Sequence, residues 1–154
     1  MASLGLQVYN KFKAHLQANN FKFDTRDSEL SIILTVHGED LPQPTIIHVF
    51  DDRNVVQIVS PIPARIPEDK RPEAAVAVAV ANYGMINGSF DLDMSDGEIR
   101  FRMAQNFAET GMSEESVHYM CAITFLTTDK YNDRFFMLGK GLMSLEQFIE
   151  KEGQ

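Results

Sequence analysis

The chain has 154 residues, 44% of them hydrophobic, which is enough for a single domain spanning residues 1–154 around one core. Its 14 Lys and Arg residues are outnumbered by 22 Asp and Glu residues, which gives a net charge of -8. The sequence contains no basic stripe that could neutralise phosphates, so we expect neither nucleic acid nor an anionic membrane as a partner. The first residues lack the regions of a signal peptide, and the lone Cys121 forms neither a disulfide nor a thiolate metal cage within one chain, so we expect a cytoplasmic protein.

The N-terminal third of the chain predicts one helix followed by three strands. Apolar residues recur every four positions from Leu4 to Leu16, directly after Ser3, a residue type suited to cap a helix N-terminus. β-branched and aromatic residues then dominate three runs: Leu30 to Val36, Thr45 to Phe50 and Val55 to Val59. Turn-rich segments separate these runs, so we expect a three-stranded antiparallel meander.

The middle of the chain predicts a connector and a second helix. Four prolines between Pro61 and Pro72 cannot donate to a β-ladder, which favours a connector. From Ala74 to Asn82 valines alternate with alanines as in a strand, but alanine is the strongest helix former. We therefore expect a helix there, ending between Gly84 and Gly88.

A β-hairpin is the clearest local pattern in the sequence. Apolar residues alternate with acidic ones from Phe90 to Met94, and with basic ones from Ile99 to Met103, on either side of Asp96-Gly97. An Asp-Gly pair is typical of a two-residue turn, which would set Met94 opposite Ile99 and Phe90 opposite Met103. The charged pairs in this register are Asp93 with Arg100 and Asp91 with Arg102. Apolar and charged pairing thus agree on one register.

The C-terminal third predicts one long helix and one short helix. Ser113 is suited to cap the long helix, which carries acidic residues in its first turn, and Gly139 is suited to end it. Between Tyr119 and Leu126 this helix is apolar almost all round, which is typical of a central helix. Ser144 and Gln147 have the spacing of a capping box for a short final helix. The predicted fold class is α+β: helix, three-stranded antiparallel meander, helix, β-hairpin, helix, with a short C-terminal helix.

Candidate catalytic and metal-binding residues are few. The acidic segment 91–97 resembles the start of a calcium loop but lacks the glycine and glutamate that such a loop requires. The four histidines are His15, His37, His48 and His118. None of them has the spacing of a chelating pair on one helix, so we expect no metal, no cofactor and no catalytic residues. A pocket pairing His48 or His37 with a carboxylate would give the alternative function, a small-ligand-binding protein or an enzyme.

The order of these elements, together with the stretch from Asn82 to Arg102, resembles the YbjN family. The residues that carry the resemblance are Asn82-Tyr83, Gly88 to Asp93 and Asp96 to Arg102. The family is described as bacterial sensory transduction regulators, and it is similar in fold to the class I chaperones of type III secretion. Those chaperones act as homodimers that hold an unfolded stretch of a client. The resemblance implies a non-enzymatic, homodimeric protein-binding module that acts as a regulator or chaperone on a client or regulatory protein.

The predicted meander is the feature that points to a partner. A strand covered on one face alternates apolar and polar residues, but the runs from Thr45 to Phe50 and from Val55 to Val59 leave few polar positions on either face. Three candidates for covering the second face remain: the C-terminal helix of the chain, a second copy of the chain, or a client segment. The candidate interface residues are Ile47, Val49, Val56, Ile58, Phe135 and Phe136.

Overall fold

The protein folds as a layer of helices packed on one face of an antiparallel β-sheet. The structure is a computed structural model and describes residues 2–153. Its helices are α1 (Leu4–Ala18), α2 (Arg71–Tyr83), α3 (Glu114–Gly139) and α4 (Leu145–Glu152). Its strands are β1 (Asp24–Arg26), β2 (Ser31–His37), β3 (Pro42–Phe50), β4 (Val55–Arg65), β5 (Ser89–Leu92) and β6 (Glu98–Asn106). Across the described residues these strands form one six-stranded sheet in the order β1-β2-β3-β4-β6-β5, which confirms the predicted α+β fold.

Three serine caps determine where α1, α3 and α4 begin. The side-chain oxygens of Ser3, Ser113 and Ser144 accept hydrogen bonds from backbone N–H groups of the first turn at 3.0, 3.0 and 3.1 Å. Such a cap contributes about 1 kcal/mol, because the first N–H groups of a helix have no partner within it. In α4 the Gln147 side chain also accepts from the Ser144 N–H at 2.9 Å, which confirms the predicted capping box.

The core lies between the helices and the inner face of the sheet. Every second residue of the central strands points towards the helices, and the side chains of Ile32, Ile47 and Ile58 are fully buried there. A second part of the core is a cluster of aromatic rings contributed by Phe90, Phe101, Tyr131, Phe135 and Phe148. Fully burying one such side chain contributes about 1.5–3 kcal/mol. The inner face of the sheet is therefore occupied by the chain itself.

Strand β4 continues through part of the proline-rich segment. It runs to Arg65 through Pro61, and β3 includes Pro44. The register between β3 and β4 sets Pro44 and Pro61 opposite each other. Since neither proline has an N–H to donate, the β3–β4 ladder ends at this point without leaving a backbone N–H unpaired. Ser60 Oγ donates to Pro44 O at 3.1 Å instead. The prediction that the connector begins at Pro61 is therefore wrong, because proline is tolerated where the neighbouring ladder has stopped.

The hairpin forms as predicted, but its register differs by two residues. Phe90 faces Phe101, not Met103. A two-residue type I′ turn needs positive φ at both central residues, and here Gly97 has φ +80° whereas Asp96 does not have a positive φ. The loop is longer instead, with the Gly97 N–H donating to Asp93 O at 2.8 Å. Because the shift is an even number of residues, every side chain keeps the predicted face of the sheet.

The helices confirm their predicted positions but not all of their predicted burial. Helix α2 ends at Tyr83 with Gly84 as its C-cap, as expected. Helix α3 contacts the sheet and the other helices, yet Tyr119 and Leu126 on its far side are 40% and 69% exposed. The expectation of burial all round is wrong there, because the sheet covers only one side of the helix. Within residues 2–153 no helix combines the length and the apolar run that crossing a membrane would need.

Candidate protein-interaction surfaces

The outer face of the sheet carries an apolar row that the helices do not cover. Ile33 on β2 faces Ile46 on β3, which in turn faces Val59 on β4. Ile46 is 43% exposed, and the other two are partly buried by their neighbours within the sheet. Phe50 and Val55 form a second partly buried pair on the same face. We call these five residues the outer sheet surface.

The candidate interface residues named from the sequence mostly lie in the core. Ile47, Val49, Val56 and Ile58 occupy the inner face, where each is at most 2% exposed, and the Phe135 ring is fully buried among aromatic neighbours. A partner cannot reach these five side chains in this fold. Phe136 is partly buried, with Lys140 Nζ at 5.6 Å from its ring centroid. Since side chains alternate along a strand, the residues available to a partner on β3 and β4 are the neighbours of those predicted.

The C-terminal helix does not cover the outer sheet surface. Helix α4 packs against α2 and α3, where Phe148 is fully buried and its ring lies 5.2 Å from that of Phe135. The Leu145 N–H donates to Glu73 Oε1 on α2 at 3.1 Å. Of the three candidates for the second face of the sheet, a second copy and a client segment therefore remain.

Helix α2 presents a second apolar surface, which the sequence reasoning missed. Val76, Val80 and Tyr83 recur at the spacing of one helix face, and Ile86 follows just after the helix. Tyr83 and Ile86 are 95% and 94% exposed, an unusual state for large apolar side chains. Asn87 Nδ2 donates to the hydroxyl of Tyr119 on α3 at 2.8 Å, which brings that ring to the edge of the surface. We call these residues, Val76, Val80, Tyr83, Ile86 and Tyr119, the α2 surface.

The sequence does contain a signal for the α2 surface. No charged residue occurs from Ala74 to Phe90, although 23% of the whole chain is charged. A solvated helix face normally carries charged or polar side chains, so a helix that lacks them on every side predicts either burial or a partner.

Charged residues border the outer sheet surface on the hairpin side. Asp91 accepts hydrogen bonds from Arg102 Nε at 2.8 Å and Arg100 Nε at 3.3 Å. Burial would raise the pKa of the Asp91 carboxyl, but the two arginines together hold this pKa below its usual value. Asp91 and Arg102 therefore remain charged at neutral pH, and the apolar row ends at Arg102, which faces Val59.

Comparison with known proteins agrees with this architecture. The sequence model of the family YbjN, described as "Putative bacterial sensory transduction regulator", matches residues 10–137. The chain belongs to the YbjN family. The matched region begins within α1 and ends near the end of α3, so α4 lies beyond it. No curated protein sequence matches the chain.

Solved structures similar to this YbjN-family chain share its fold at low sequence identity. The crystal structure of YbjN from E. coli has 12% identity and a TM-score of 0.59, with 81% of this chain and 91% of that chain covered. The chaperone–effector complex of HopA1 and SchA has 8% identity and a TM-score of 0.60, with 86% and 99% covered. The ExsC–ExsE complex has 10% identity and a TM-score of 0.59, with 86% and 96% covered. The chain therefore has the secretion chaperone-like fold.

Of the two histidines of the alternative function, His48 bonds a serine in this YbjN-family chain, whereas His37 borders an open pocket together with Asp24. His48 lies on the outer face with Phe50, whose ring centroid is 4.4 Å away, and its Nδ1 lies 2.7 Å from Ser31 Oγ. His37 is at the other end of β2 from Ser31, about 20 Å away along the strand. Within residues 2–153 the side-chain partner of His48 is a serine hydroxyl and not a carboxylate. The two histidines therefore do not share a site.

A different pair of histidines meets between α1 and α3. The ring centroids of His15 and His118 are 5.3 Å apart, and the rings meet edge to face. Burial and the neighbouring His118 lower the pKa of His15. His15 also borders a cavity of about 260 Å³ together with Lys11 and Glu114. Nevertheless, no three His, Cys, Asp or Glu side chains among residues 2–153 are arranged to hold a metal ion.

Proposed function

We propose that this YbjN-family chain is a non-enzymatic, cytoplasmic protein-binding module with a regulatory or chaperone-like role, and that it acts as a homodimer. In this proposal the α2 surface joins two copies, and the outer sheet surface contacts a different protein. The observation that carries the proposal is the near-complete exposure of Tyr83 and Ile86 in a segment without charged residues. Membership of the YbjN family and the chaperone-like fold support a protein-binding role.

Charge favours a second copy as the occupant of the α2 surface. Two chains that each carry a net charge of -8 repel each other over most of their surfaces. A contact through residues 74–90 brings no charged side chain against its own copy, so this repulsion is weakest there. In a twofold pairing each residue meets the same patch on the other copy, so the uncharged segment of one chain lies against the uncharged segment of the other.

The apolar side chains of the α2 surface supply a moderate driving force. Burying Tyr83 and Ile86 from both copies contributes about 6–12 kcal/mol before the cost of association, since each side chain contributes about 1.5–3 kcal/mol. The loss of translational and rotational freedom offsets at least about 4 kcal/mol of this gain. We therefore expect a dimer that dissociates on dilution rather than a permanent one.

Sedimentation velocity over a range of protein concentrations tests the homodimer. The unsubstituted chain should sediment as a dimer at high concentration, and Tyr83→Glu with Ile86→Glu should sediment as a monomer with an unchanged circular dichroism spectrum. Leu126→Glu is the matched control, since Leu126 is also an exposed apolar residue but lies outside the α2 surface. A monomer at all concentrations, or a dimer that survives both glutamates, contradicts the proposal.

The outer sheet surface is tested separately by its effect on a partner. Once a protein that co-purifies with the chain is identified, its affinity for purified Ile46→Glu should fall at least tenfold. Tyr83→Glu should leave that affinity within about threefold, because Tyr83 lies on the α2 surface. Equal affinity for the Ile46→Glu variant and the unsubstituted chain rules out the outer sheet surface as the binding face.

A further inference from the structure

A band of buried polar side chains crosses the core between α3 and the central strands. Of the seven buried polar residues in the described part of the chain, six lie in this band, and each of the six is fully buried or nearly so. They are Gln43, Thr45, Ser60, Thr124, Thr128 and Asn132, which we call the polar seam. The last three are spaced at four-residue intervals and therefore share one face of α3. A polar group buried in such a core is costly unless it is hydrogen-bonded.

Half of the polar seam is satisfied by partners within the chain. Thr124 Oγ1 donates to Met120 O at 2.8 Å, and Thr45 Oγ1 donates to Gln43 O at 3.1 Å. Ser60 Oγ donates to Pro44 O. Three buried atoms have no hydrogen-bond partner among residues 2–153, namely Gln43 Oε1, Thr128 Oγ1 and Asn132 Oδ1.

Rotating the amide groups of Gln43 and Asn132 by 180° does not give their oxygens a hydrogen-bond partner. Gln43 Nε2 donates to Asp129 Oδ1 at 3.3 Å, and Asn132 Nδ2 donates to Leu41 O at 3.1 Å. Exchanging the nitrogen and oxygen of either amide would set two acceptor oxygens against each other. Both amide oxygens therefore point into the seam as acceptors that need a donor.

The three side chains that carry these oxygens belong to neighbouring contacts between α3 and residues 41–43. Thr128 and Asn132 lie one turn apart on α3, which separates their side chains by about 6 Å. Gln43 is bonded to Asp129, the residue after Thr128, and Asn132 is bonded to Leu41, two residues before Gln43. The contacts of α3 with residues 41–43 therefore bring the three side chains to the same stretch of the helix.

We infer that Gln43 Oε1, Asn132 Oδ1 and Thr128 Oγ1 bind one buried water molecule. Water donates two hydrogen bonds, which match the two amide oxygens, and accepts one, which matches the threonine hydroxyl as donor. Buried waters in proteins typically make about three hydrogen bonds of this kind. The bound water links α3 to the start of β3, the central strand of the outer sheet surface.

A pair of isosteric substitutions tests the water site. Thr128→Val removes the hydroxyl that donates to the water, whereas Thr124→Val removes a hydroxyl bonded to its own helix, in an equally buried position one turn away. Thr128→Val should lower Tm by about 3 °C more than Thr124→Val does, because it removes a partner of the water that bonds both amide oxygens, whereas Met120 O keeps its backbone partner in α3 when the Thr124 hydroxyl is lost. A Tm raised by Thr128→Val would mean that the hydroxyl has no partner and would overturn the inference.

Two further measurements identify the occupant. Magnetic relaxation dispersion of water oxygen should count one fewer long-lived water in Thr128→Val than in the unsubstituted protein, and an unchanged count would overturn the inference. Melting in NaCl, KCl and choline chloride at equal ionic strength should give the same Tm. A Tm that rises specifically with Na⁺ or K⁺ would assign the site to a cation and would equally overturn it.

Discussion

Neighbouring isoleucines on β3 offer a test of which face of the sheet is available to a partner. Ile47 is fully buried on the inner face between Ile32 and Ile58, whereas Ile46 is 43% exposed on the outer face. Replacing a fully buried isoleucine by alanine lowers the free energy of unfolding by about 2–5 kcal/mol. For Ile47, which has packed neighbours on both sides, we expect a loss of about 4 kcal/mol. The same change at Ile46 removes a side chain that is already half in water, so we expect a loss of about 1 kcal/mol.

Urea denaturation of the two alanine variants measures this difference directly. With a dependence of about 2 kcal/mol per M urea, Ile47→Ala should lower the midpoint by about 2 M and Ile46→Ala by about 0.5 M. The measurement belongs at low protein concentration, so that self-association adds nothing to the stability. Equal losses at the two positions would refute the assignment of faces, and with it the proposal that the outer sheet surface is free for a partner.

Other predictions concern the tail, the hairpin loop and the response to pH. Phe148→Ala should lower Tm by about 10 °C, because it removes a fully buried ring that holds α4, and differential scanning calorimetry checks this. Gly97→Ala should destabilise the fold in urea denaturation, since φ is +80° and a Cβ would lie only 2.1 Å from the backbone oxygen of Ile66. Gly84→Ala, with open space around it, should be tolerated in the same assay. The lowered pKa of His15 means that the unfolded chain binds a proton at this residue more readily than the folded chain does. The free energy of unfolding should therefore be highest above about pH 6.5 and fall as the pH drops below that value. Denaturation at a series of pH values should show a smaller fall in His15→Gln.

Much of the fold could be predicted because its signals are local. The caps at Ser3, Ser113 and Ser144 depend on a few consecutive residues, and each forms where the sequence indicates. The alternation from Phe90 to Met103 likewise indicates the hairpin and the face of each side chain. Its register was not predictable from an Asp-Gly pair alone, because the aspartate side chains cap a longer loop.

The candidate interface was harder to predict because it depends on packing between distant elements. The runs on β3 and β4 are apolar on both faces, so nothing in them indicates whether the helices cover Ile46 or Ile47. The choice follows from where α1 and α3 lie after folding. The contact of His15 with His118 likewise joins two helices that are about a hundred residues apart in the chain, so no local spacing could indicate it.

The packing of α2 is one reason why we propose a second copy as the occupant of its exposed face. One side of this helix packs on β5, and another is held by α4 through the bond from Leu145 to Glu73. Folding of the monomer is therefore complete without Val76, Tyr83 or Ile86, and polar residues there would cost the fold little. Apolar residues at these exposed positions contribute favourable free energy only when a second surface covers them and removes them from water. The chain has a net charge of -8, but the segment from Ala74 to Phe90 carries no charge. Electrostatic repulsion between two copies is therefore weakest when they meet through this segment.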